Sequence, residues 1–497
     1  MPMRSLVLIT SLLLFGSESS SQIMFNKTIN GVASGGATDV IVTSDNGYLI
    51  AGGINTFKQY ARGSYFIKTD STGSIEWTKT YQRAGLGALY SIQKTSDGGY
   101  ISSGDSLSLL KTDINGDVQW SKSYTNYSTG WAAIQTSDGG YITVAGGFGP
   151  IITKCDNAGN PIWVKRYFDT VGFQTVYALS RSICPTSDGG FIIFGYIGIV
   201  SDDGLVSIKV ANDGALQWLK VYKAATNLAG TSMIQTQDGG FLSIGYRRSG
   251  GPASIHAIKM DGGGNVQWAR SYEGLEAHSV QPTYDGGYII AGCVSTSNGT
   301  PSLLKIDVSG NAVWSKAYRS FNKARARSVK ETPDHGFIVT GQTGDNAEIL
   351  FLKTDANGNS GCNDSTITSM DTFFSVTVAD VPPYSYTDTV ANLDFVYTIG
   401  TGGIDSTICS TLSVANEQVS SAPTTVFPNP TAGAFTIKSS EVIKCVTIYS
   451  PSCTVVFNAT SNSRDAEIDL HELTSGLYLY TALLASGKAH RGKIILK

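Results

Sequence analysis

Charged side chains are scarce in this chain: they make up 15% of its 497 residues, and the net charge is −3. General binders of nucleic acids or anionic membranes need a cationic excess, so both classes are excluded. The five His and seven Cys include no pair at a zinc-site spacing such as C-x-x-C or H-E-x-x-H, so the sequence predicts neither a metal nor a cofactor. No apolar run reaches 18 residues, which excludes a transmembrane helix.

The composition and the N-terminal segment predict a folded protein that is exported. Hydrophobic residues make up 41% of the sequence, which is enough for a folded core and excludes wholesale disorder. At the N-terminus, Arg4 precedes the apolar run Leu6–Phe15 and the small, polar stretch Gly16–Gln22. This order predicts a secretory signal peptide at residues 1–21, cut near Ser21. The mature protein is therefore expected to be exported, where disulfides are permitted.

One sequence unit recurs seven times. Its motif is T-S-D-G-G-Y-I with small changes, followed about 25 residues later by a signature such as L-L-K-T-D-I-N-G-D-V-Q-W-S-K-S-Y. The motif aspartates are Asp45, Asp97, Asp138, Asp188, Asp238, Asp285 and Asp334. Each unit fits four short strands with glycine-rich turns, and no unit holds a stretch of helical period. Four strands per 41 to 52 residues predict a seven-bladed β-propeller over residues 22–364.

The two ends of the repeat region complete each other. The seventh unit, Val329–Asp364, lacks a fourth strand with its tryptophan. The mature N-terminus supplies a matching segment, Ile23–Ile29, with Phe25 at the tryptophan position and Lys27 at the following lysine position. We therefore expect the N-terminal strand to close the last blade, which would remove exposed strand edges.

Tryptophan and lysine recur at fixed positions of the unit. The recurrence favours packing between blades for the tryptophans and a bond from each lysine to a neighbouring turn or carboxylate. The tryptophans are Trp77, Trp120, Trp163, Trp218, Trp268 and Trp314, and the lysines are Lys68, Lys111, Lys154, Lys209, Lys259, Lys305 and Lys353. A feature present in every blade builds the scaffold, so function is expected where the blades differ.

The composition changes after the repeats. Residues 365–421 are rich in Ser and Thr, contain short β-like runs and carry no repeat motif, so we assign them to a β-containing connecting segment. Cys362 and Cys409 flank most of this segment. They are candidates for a disulfide, with two free thiols as the alternative.

Residues 422–497 form a separate small β unit, predicted to be an immunoglobulin-like sandwich. This segment resembles the type A C-terminal sorting domain of the type IX secretion system of Bacteroidetes. The matching residues are Pro428, Asn429, Pro430, Gly433, Ile448, Tyr449, Leu473, Gly476, Tyr478 and the final strand Lys493–Lys497. The chain departs from the family at Ser450–Thr454, where a Leu-Gly turn is usual, and Cys445 and Cys453 are candidates for a bridge across that hairpin.

The resemblance carries expectations about export. It implies a substrate that the type IX machinery carries across the outer membrane through residues 422–497, with the domain removed afterwards. The mature protein would then be secreted or attached to the outer-membrane surface. The alternative is a small immunoglobulin-like domain without a sorting role.

A ring of variable residues marks the predicted binding face. Seven residues before each motif aspartate stand Thr38, Tyr90, Trp131, Arg181, Thr231, His278 and Arg327. One residue later stand Asp39, Ser91, Ala132, Ser182, Ser232, Ser279 and Ser328, nearly all small. The first set is expected to ring one mouth of a central channel, with Tyr60, Arg62, Arg247 and Arg248 from nearby loops. Aromatic faces stack on sugars and arginine pairs with carboxylates, so an acidic glycan is the preferred ligand. The alternative is that these residues only plug and solvate the channel mouth.

Three functions fit this sequence. The preferred one is a non-enzymatic binding or adhesion scaffold for a polysaccharide or a surface protein. The alternatives are a glycan-active hydrolase or lyase and a purely structural surface protein. Glycoside cleavage needs a pair of acids, and no motif marks one, so the sequence predicts no catalytic residue.

Overall fold

The computed structural model describes most of the chain and divides it into two compact units, Met1–Val414 and Ala415–Lys497. The described residues are 22–30, 36–55, 62–82, 87–124, 129–146, 150–167, 177–198, 204–224, 228–247, 252–295, 299–321, 323–344, 348–361, 364–367, 371–380, 385–387, 393–394, 398–400, 404–413, 425–428, 431, 433–449, 455–485 and 489–497. Among them, no helix has the length and apolar character needed to cross a membrane. The predicted signal peptide, residues 1–21, lies outside this set.

The first unit is built from short strands, with one 3-10 turn at Asp105–Leu107. The repeat region contains β1 (Gln22–Asn30), β2 (Ala37–Val42), β3 (Tyr48–Asn55), β4 (Arg62–Thr69), β5 (Ile75–Gln82), β6 (Leu89–Lys94), β7 (Tyr100–Gly104), β8 (Ser108–Thr112), β9 (Val118–Ser123), β10 (Thr129–Gln135), β11 (Tyr141–Gly146), β12 (Ile151–Cys155), β13 (Pro161–Tyr167), β14 (Tyr177–Pro185), β15 (Phe191–Gly198), β16 (Gly204–Val210), β17 (Leu216–Lys223), β18 (Leu228–Gln235), β19 (Phe241–Arg247), β20 (Ser254–Met260), β21 (Val266–Glu273), β22 (Leu275–Pro282), β23 (Tyr288–Val294), β24 (Thr300–Ile306), β25 (Ala312–Tyr318), β26 (Arg325–Glu331), β27 (Phe337–Thr343) and β28 (Glu348–Thr354). The segment that follows contains β29 (Asp364–Thr366), β30 (Asp371–Phe373), β31 (Thr377–Asp380), β32 (Ser385–Thr387), β33 (Leu393–Asp394), β34 (Thr398–Gly400) and β35 (Ile404–Ser413).

These strands form seven antiparallel sheets, one for each sequence repeat. Sheets 1 to 6 take four consecutive strands each, from β2–β5 for sheet 1 to β22–β25 for sheet 6, and sheet 7 combines β26, β27, β28 and β1. The prediction of an all-β protein with four strands per repeat is therefore confirmed. Each Asp-Gly-Gly motif makes the turn between first and second strands: the carboxylate of Asp97 accepts the Gly99 amide proton at 3.1 Å, and Gly98 has φ +85°.

The recurring tryptophan of each fourth strand packs against a turn of the next sheet. Gly116, in the turn between the third and fourth strands of sheet 2, has φ +79°, and a Cβ there would lie 2.8 Å from the Trp77 ring of sheet 1. Tyr81 on the same strand as Trp77 donates its hydroxyl proton to the Gly116 carbonyl at 2.7 Å. The same contact recurs at Trp120–Gly159, Trp163–Gly214, Trp218–Gly264, Trp268–Gly310 and Trp314–Gly358. The tryptophans therefore hold neighbouring sheets together, as their regular spacing predicts.

Strand β1 repeats this contact between sheet 7 and sheet 1. It pairs antiparallel with β28, with Phe25 opposite Lys353. A Cβ on Gly73 of sheet 1 would lie 2.6 Å from the Phe25 ring, and Lys27 donates to the Gly73 carbonyl at 2.9 Å. First strands of neighbouring sheets also contact one another, including β2 with β26. The seven sheets thus contact each other in a closed cycle, and Ile23–Ile29 takes the place predicted for it.

A fifth strand covers the outer edge of every sheet. The strands β29 to β35, which we call the strap, pair with the fourth strands of sheets 6, 5, 4, 3, 2, 1 and 7 in that order. The strap is anchored by side chains as well: Arg270 on β21 forms an ion pair with Asp371 at 2.8 Å, and its guanidinium lies 4.3 Å from the centre of the Phe373 ring. The segment expected only to connect two domains therefore passes once around the cycle in reverse order and shields its edges.

Each sheet contains one buried lysine paired with the motif aspartate. In sheet 2, Lys111 Nζ lies 2.8 Å from Asp97 Oδ2 and donates to the Thr112 carbonyl at 2.9 Å. The equivalent pairs are Lys68–Asp45, Lys154–Asp138, Lys209–Asp188, Lys259–Asp238, Lys305–Asp285 and Lys353–Asp334. The predicted bond from the recurring lysine to a carboxylate is confirmed, and it ties the third strand of each sheet to the turn between its first two strands.

These pairs predict that the fold weakens in acid. Hydrogen bonds from Lys154 and Thr136 lower the pKa of Asp138 to about 2. At Asp97, burial alone would raise the pKa, but the hydrogen bonds from Lys111 and Thr95 lower it to about 2. A carboxyl whose folded pKa lies below its unfolded value of about 3.9 stabilises the fold fully above that value and loses this contribution as the pH falls toward 2. We expect the melting temperature to be steady from pH 7 to pH 5 and to fall below pH 4.

The measurement is thermal unfolding followed across this pH range. Asp138→Asn removes one titrating carboxyl and should reduce the loss of melting temperature between pH 4 and pH 2. A wild-type melting temperature that stays constant down to pH 2.5 would contradict this interpretation.

The second unit has its own strands and its own core. The strands are β36 (Thr425–Phe427), β37 (Ala434–Tyr449), β38 (Val455–Asp469), β39 (Gly476–Leu484) and β40 (Ala489–Leu496). Their sheet order is β36–β37–β39–β40, with β38 also paired to β37. The register of β37 with β38 shifts between Lys438 and Ile443. The first half of β37 pairs with β36 and its second half with β39, around one core that includes Ile437, Val446 and Tyr480.

The cysteine pairings predicted from the sequence have different outcomes. Cys445 is a free thiol, and its Sγ contacts Asn458 Oδ1 at 3.1 Å. The structure therefore shows no bridge at Cys445, whose Sγ lies against the side-chain amide of the neighbouring strand. Cys453 and Cys362 are outside the described residues, and the side chain of Cys409 is outside them as well, so the Cys362–Cys409 bridge stays a prediction.

Candidate functional site

A cavity of about 900 Å³ lies between the first strands of the seven sheets. We call it the axial cavity, because every first strand from β2 to β26 contributes to its wall. All seven residues of the predicted ring line it, namely Thr38, Tyr90, Trp131, Arg181, Thr231, His278 and Arg327. The structure therefore brings together residues that lie nearly 300 positions apart in the chain.

Every ring residue sits in a β-bulge. In sheet 3, Gly130 pairs with Ala145 and Ala132 pairs with Val144, so Trp131 between them has no partner on the second strand. The same register shift skips Thr38, Tyr90, Arg181, Thr231, His278 and Arg327 in their sheets. A bulge leaves one residue out of the ladder and re-aims its side chain, and bulges are common beside binding sites. Here seven bulges place seven side chains in the wall of one cavity.

The residues that follow the bulges link neighbouring sheets. Asp39 accepts the Ile92 amide proton from sheet 2 at 3.0 Å and the Ser328 hydroxyl proton from sheet 7 at 2.6 Å. Ser91 in turn accepts the Ala133 amide proton of sheet 3 at 3.2 Å. This second ring therefore has a structural role around the cavity, and it fixes the backbone that carries the ring side chains.

Three ring side chains stack across three sheets. The Tyr90 and Trp131 rings have centroids 4.7 Å apart and are tilted by 42°. The guanidinium of Arg181 lies 3.7 Å from the centre of the Trp131 ring. A cation held on an aromatic face keeps its hydrogen-bonding edge free to face a ligand. We call Tyr90, Trp131 and Arg181 the aromatic–arginine stack.

The opposite wall holds His278 and Arg327. Burial lowers the pKa of His278 well below its usual range, and the charges of Arg327, Arg325 and Arg181 lower it further. His278 is therefore neutral at neutral pH. Burial and the charge of Arg325 also lower the pKa of Arg327. The positive charges of Arg181, Arg325 and Arg327 therefore all act on this wall of the cavity.

The charges of the cavity wall are poorly balanced. The described lining contains the cations Lys94, Arg181, Arg327 and Lys330 and a single carboxylate, Asp39. Asp39 is already engaged by Ile92 and Ser328. Among the described residues, neither Arg181 nor Arg327 forms an ion pair with a carboxylate. A cavity with uncompensated arginines in a low-dielectric wall attracts anions.

Buried donors in the cavity wall lack partners. Trp131 Nε1, Arg181 Nε and His278 Nε2 are shielded from solvent and make no hydrogen bond with the described residues. Buried polar atoms are normally satisfied, and an unsatisfied one needs an explanation such as an absent ligand. The three atoms belong to three ring residues that line the same cavity.

Of the loop residues added to the ring, only the side chain of Arg247 lies within the described part of the chain. Arg247 ends β19, where it pairs with Leu228 near the start of β18, but it is not part of the cavity lining. Tyr60, Arg248 and the side chain of Arg62 lie outside the described residues. Lys94 and Lys330 also line the cavity, from the far ends of β6 and β26, and were not predicted. The sequence shows that each of these lysines stands shortly before a motif aspartate, but only the structure shows that it lines the cavity.

Comparison with known families identifies the C-terminal unit. Residues 425–497 match the family described as "Secretion system C-terminal sorting domain". The resemblance found from the Pro-Asn-Pro motif and the final basic strand is therefore confirmed. The protein is secreted by the type IX pathway to the cell surface or beyond it. No curated protein matches the chain.

Solved structures with similar folds share little sequence with this chain. A protein of unknown function from Bacteroides caccae is 14% identical, with a TM-score of 0.37, over 54% of this chain and 94% of its own. The WD40 β-propeller domain of Doa1 is 12% identical, with a TM-score of 0.43, over 67% and 97%. PorZ, a surface component of the type IX secretion system of Porphyromonas gingivalis, is 11% identical, with a TM-score of 0.37, over 93% and 81%. These similarities are too weak to support a conclusion about function.

Proposed function

We propose that the first unit is a seven-bladed β-propeller that binds an anionic ligand in its axial cavity at the cell surface. The preferred ligand is an acidic glycan, and the sorting domain delivers the binding unit to the outside. The observation that carries the proposal is the excess of cations in a cavity whose buried ring donors lack partners.

The closed cycle of contacts supports the propeller. Sheet 7 contacts sheet 1 through Phe25 and Gly73 in the way that each tryptophan contacts the next glycine, and the first strands of all sheets surround one cavity. The second unit is inferred to be the immunoglobulin-like sandwich. The two halves of β37 pair with different neighbours around a single core, as expected for a strand shared between two sheets.

The chemistry of the cavity fits a carboxylated sugar. Arg181 and Arg327 offer the paired donors that a planar carboxylate accepts, and the Tyr90 and Trp131 rings offer apolar faces for a sugar ring. Trp131 Nε1 is shielded from solvent and has no partner among the described residues, so it adds a hydrogen-bond donor for a sugar oxygen. A ligand with carboxylates along a sugar chain would meet all three.

The carboxylate count favours binding over glycoside hydrolysis. Hydrolysis of a glycoside by the usual mechanism needs two carboxyl groups on opposite sides of the bond. Among the described lining residues, Asp39 is the single carboxylate, and two hydrogen bonds from neighbouring sheets hold it in a structural role. The proposed function is therefore a binding protein.

The test compares two variants that lose the same amount of charge. Arg181→Gln with Arg327→Gln removes the cavity guanidiniums, and the control Lys165→Gln with Lys79→Gln removes two cations that lie outside the cavity lining. A hydrogen bond to a charged group is worth about 1.5–3 kcal/mol, which is about 10- to 100-fold in affinity for each arginine. We expect the cavity variant to bind polygalacturonate at least about 100-fold more weakly, by calorimetry at low salt.

The control and the ligand panel complete the experiment. The lysine variant should bind as the wild type does, and neutral dextran should bind to none of them. Equal loss in both variants would indicate a diffuse surface charge effect. Undiminished binding of polygalacturonate to the cavity variant, with an unchanged melting temperature, would place the ligand elsewhere.

A further inference from the structure

Three potential metal ligands meet in sheet 6, whose first strand forms part of the wall of the axial cavity. Glu276 and His278 lie on β22 and Cys293 lies on the adjacent β23, where Glu276 and Cys293 are direct register partners. One ligand atom from each of the three side chains lies within 4.8 Å of the other two. His278 stands two residues after Glu276, in the bulge between Ala277 and Ser279.

The spacing of the three groups is close to that of a zinc site. Zinc bonds of 2.0–2.3 Å to oxygen, nitrogen and sulfur place the ligand atoms of a tetrahedral site about 3.3–3.8 Å apart. Cys293 Sγ and Glu276 Oε2 are already 3.6 Å apart. The remaining separations need adjustments of about 1 Å, which side-chain torsions supply.

His278 provides a second, independent observation. Its Nε2 is shielded from solvent and makes no hydrogen bond with the described residues. A buried ring nitrogen without a partner is costly unless something binds it. In the same cluster Cys293 is a buried thiol that forms no disulfide, so a soft ligand is also available.

We propose that Glu276, His278 and Cys293 form a zinc site in the wall of the axial cavity. Imidazole, thiolate and carboxylate together suit Zn²⁺ better than Ca²⁺ or Mg²⁺, which take oxygen ligands. The thiol releases its proton to solvent when the metal binds. Three protein ligands leave one coordination position for water or an anionic group.

The neighbouring arginines are compatible with this site. A zinc ion with one carboxylate and one thiolate carries no net charge, so nearby guanidinium groups do not oppose it. Arg325 Nη1 lies 3.6 Å from Glu276 Oε2, and its side chain is half exposed. It can therefore turn into solvent when Glu276 binds the metal. The site does not depend on which anionic ligand the cavity takes.

The test titrates the metal-free mature chain with Co²⁺ and then displaces it with Zn²⁺. Cobalt bound to a thiolate gives an intense sulfur-to-metal absorption band, so the spectrum reports Cys293 directly. We expect one cobalt per chain, the thiolate band, and its loss when one equivalent of zinc is added. Loss of an outer-shell partner already costs about 10- to 100-fold in metal affinity. Cys293 and Glu276 are direct ligands in the proposed site, so Cys293→Ser and Glu276→Gln should each weaken zinc binding by at least about 100-fold.

Cys184→Ser is the matched control, because Cys184 is a free cysteine on the first strand of sheet 4 that also lines the cavity. It should keep the cobalt band and the zinc affinity. Glu276→Gln keeps the proposal testable if Cys293→Ser lowers the melting temperature, since Glu276 is only partly buried. Absence of a stoichiometric metal in the wild type, unchanged affinity in Glu276→Gln, or a band lost in Cys184→Ser would each overturn the proposal.

Discussion

A chain that lacks β1 is expected to lose its cooperative unfolding transition and to associate with other copies. Residues 22–30 lie between β28 and β35, and they pair with both strands. Their removal would open two strand edges at once, and open edges pair with other chains. It would also remove the contact of Phe25 with Gly73, which joins the last sheet to the first. Calorimetry and light scattering of the truncated protein measure both effects.

A point variant tests the same contact without removing a strand. Phe25 is 1% exposed, and its ring centroid lies 4.9 Å from that of Phe351. Replacement of a buried phenylalanine by alanine costs about 3–5 kcal/mol, so Phe25→Ala should lower the melting temperature by many degrees. The control Ile162→Ala, at a side chain that is 59% exposed, should change the free energy of unfolding by about 0.5 kcal/mol or less. Equal effects of the two variants would argue against closure through β1.

A chain that ends at Ser421 is expected to lose surface delivery completely while the first unit stays folded. The sorting domain occupies residues 425–497, and the two units are separate compact bodies with separate cores. In a host with a type IX system, the truncated protein should accumulate in the periplasm with the wild-type melting behaviour of the first unit. Cell fractionation and surface labelling give the distribution.

A gain-of-function experiment complements this truncation. Residues 422–497 fused to an unrelated periplasmic β-lactamase should carry that enzyme to the cell surface. Lys438→Ala, which removes an exposed cation from the same unit, serves as a folded control that should still be exported. Normal surface delivery of the chain ending at Ser421 would show that the export signal lies elsewhere.

The repeat itself explains why so much of the fold was predictable. Seven copies of Asp-x-Gly, five of them Asp-Gly-Gly, predicted the turns, and the tryptophan and lysine at constant offsets predicted contacts such as Lys111 with Asp97. These interactions are local or repeat from one sheet to the next, so each copy confirms the others. The boundaries 22–364, 365–421 and 422–497 stay predictions, although the first compact unit extends to Val414 and so includes the strap.

The strap was not predictable from the sequence. Most of its strands are two to four residues long, too short for an alternating pattern to show. Each strand pairs with a partner that is far away in the sequence, as β34 does with β5. Ser and Thr dominate the segment, and the sequence gives no sign that this polar chain adds an edge strand to every sheet.

Part of the candidate site was predictable from the sequence, and part was not. The ring at the cavity followed from counting back to Trp131 and Arg181, because all first strands run the same distance from their turns. The β-bulges could not be predicted from the sequence, because no residue type marks them. The Glu276–His278–Cys293 cluster was not predictable either, because its ligands lie on two strands and match no metal motif of a single segment.

The location of a bound acidic sugar tests the central claim most directly. The measurement is a crystal structure of the mature protein with a short oligogalacturonate. The account predicts electron density in the axial cavity, with carboxylates within hydrogen-bonding distance of Arg181 and Arg327 and a sugar ring against Trp131. Oligosaccharide bound on the outer surface, with the cavity filled only by water, would contradict it.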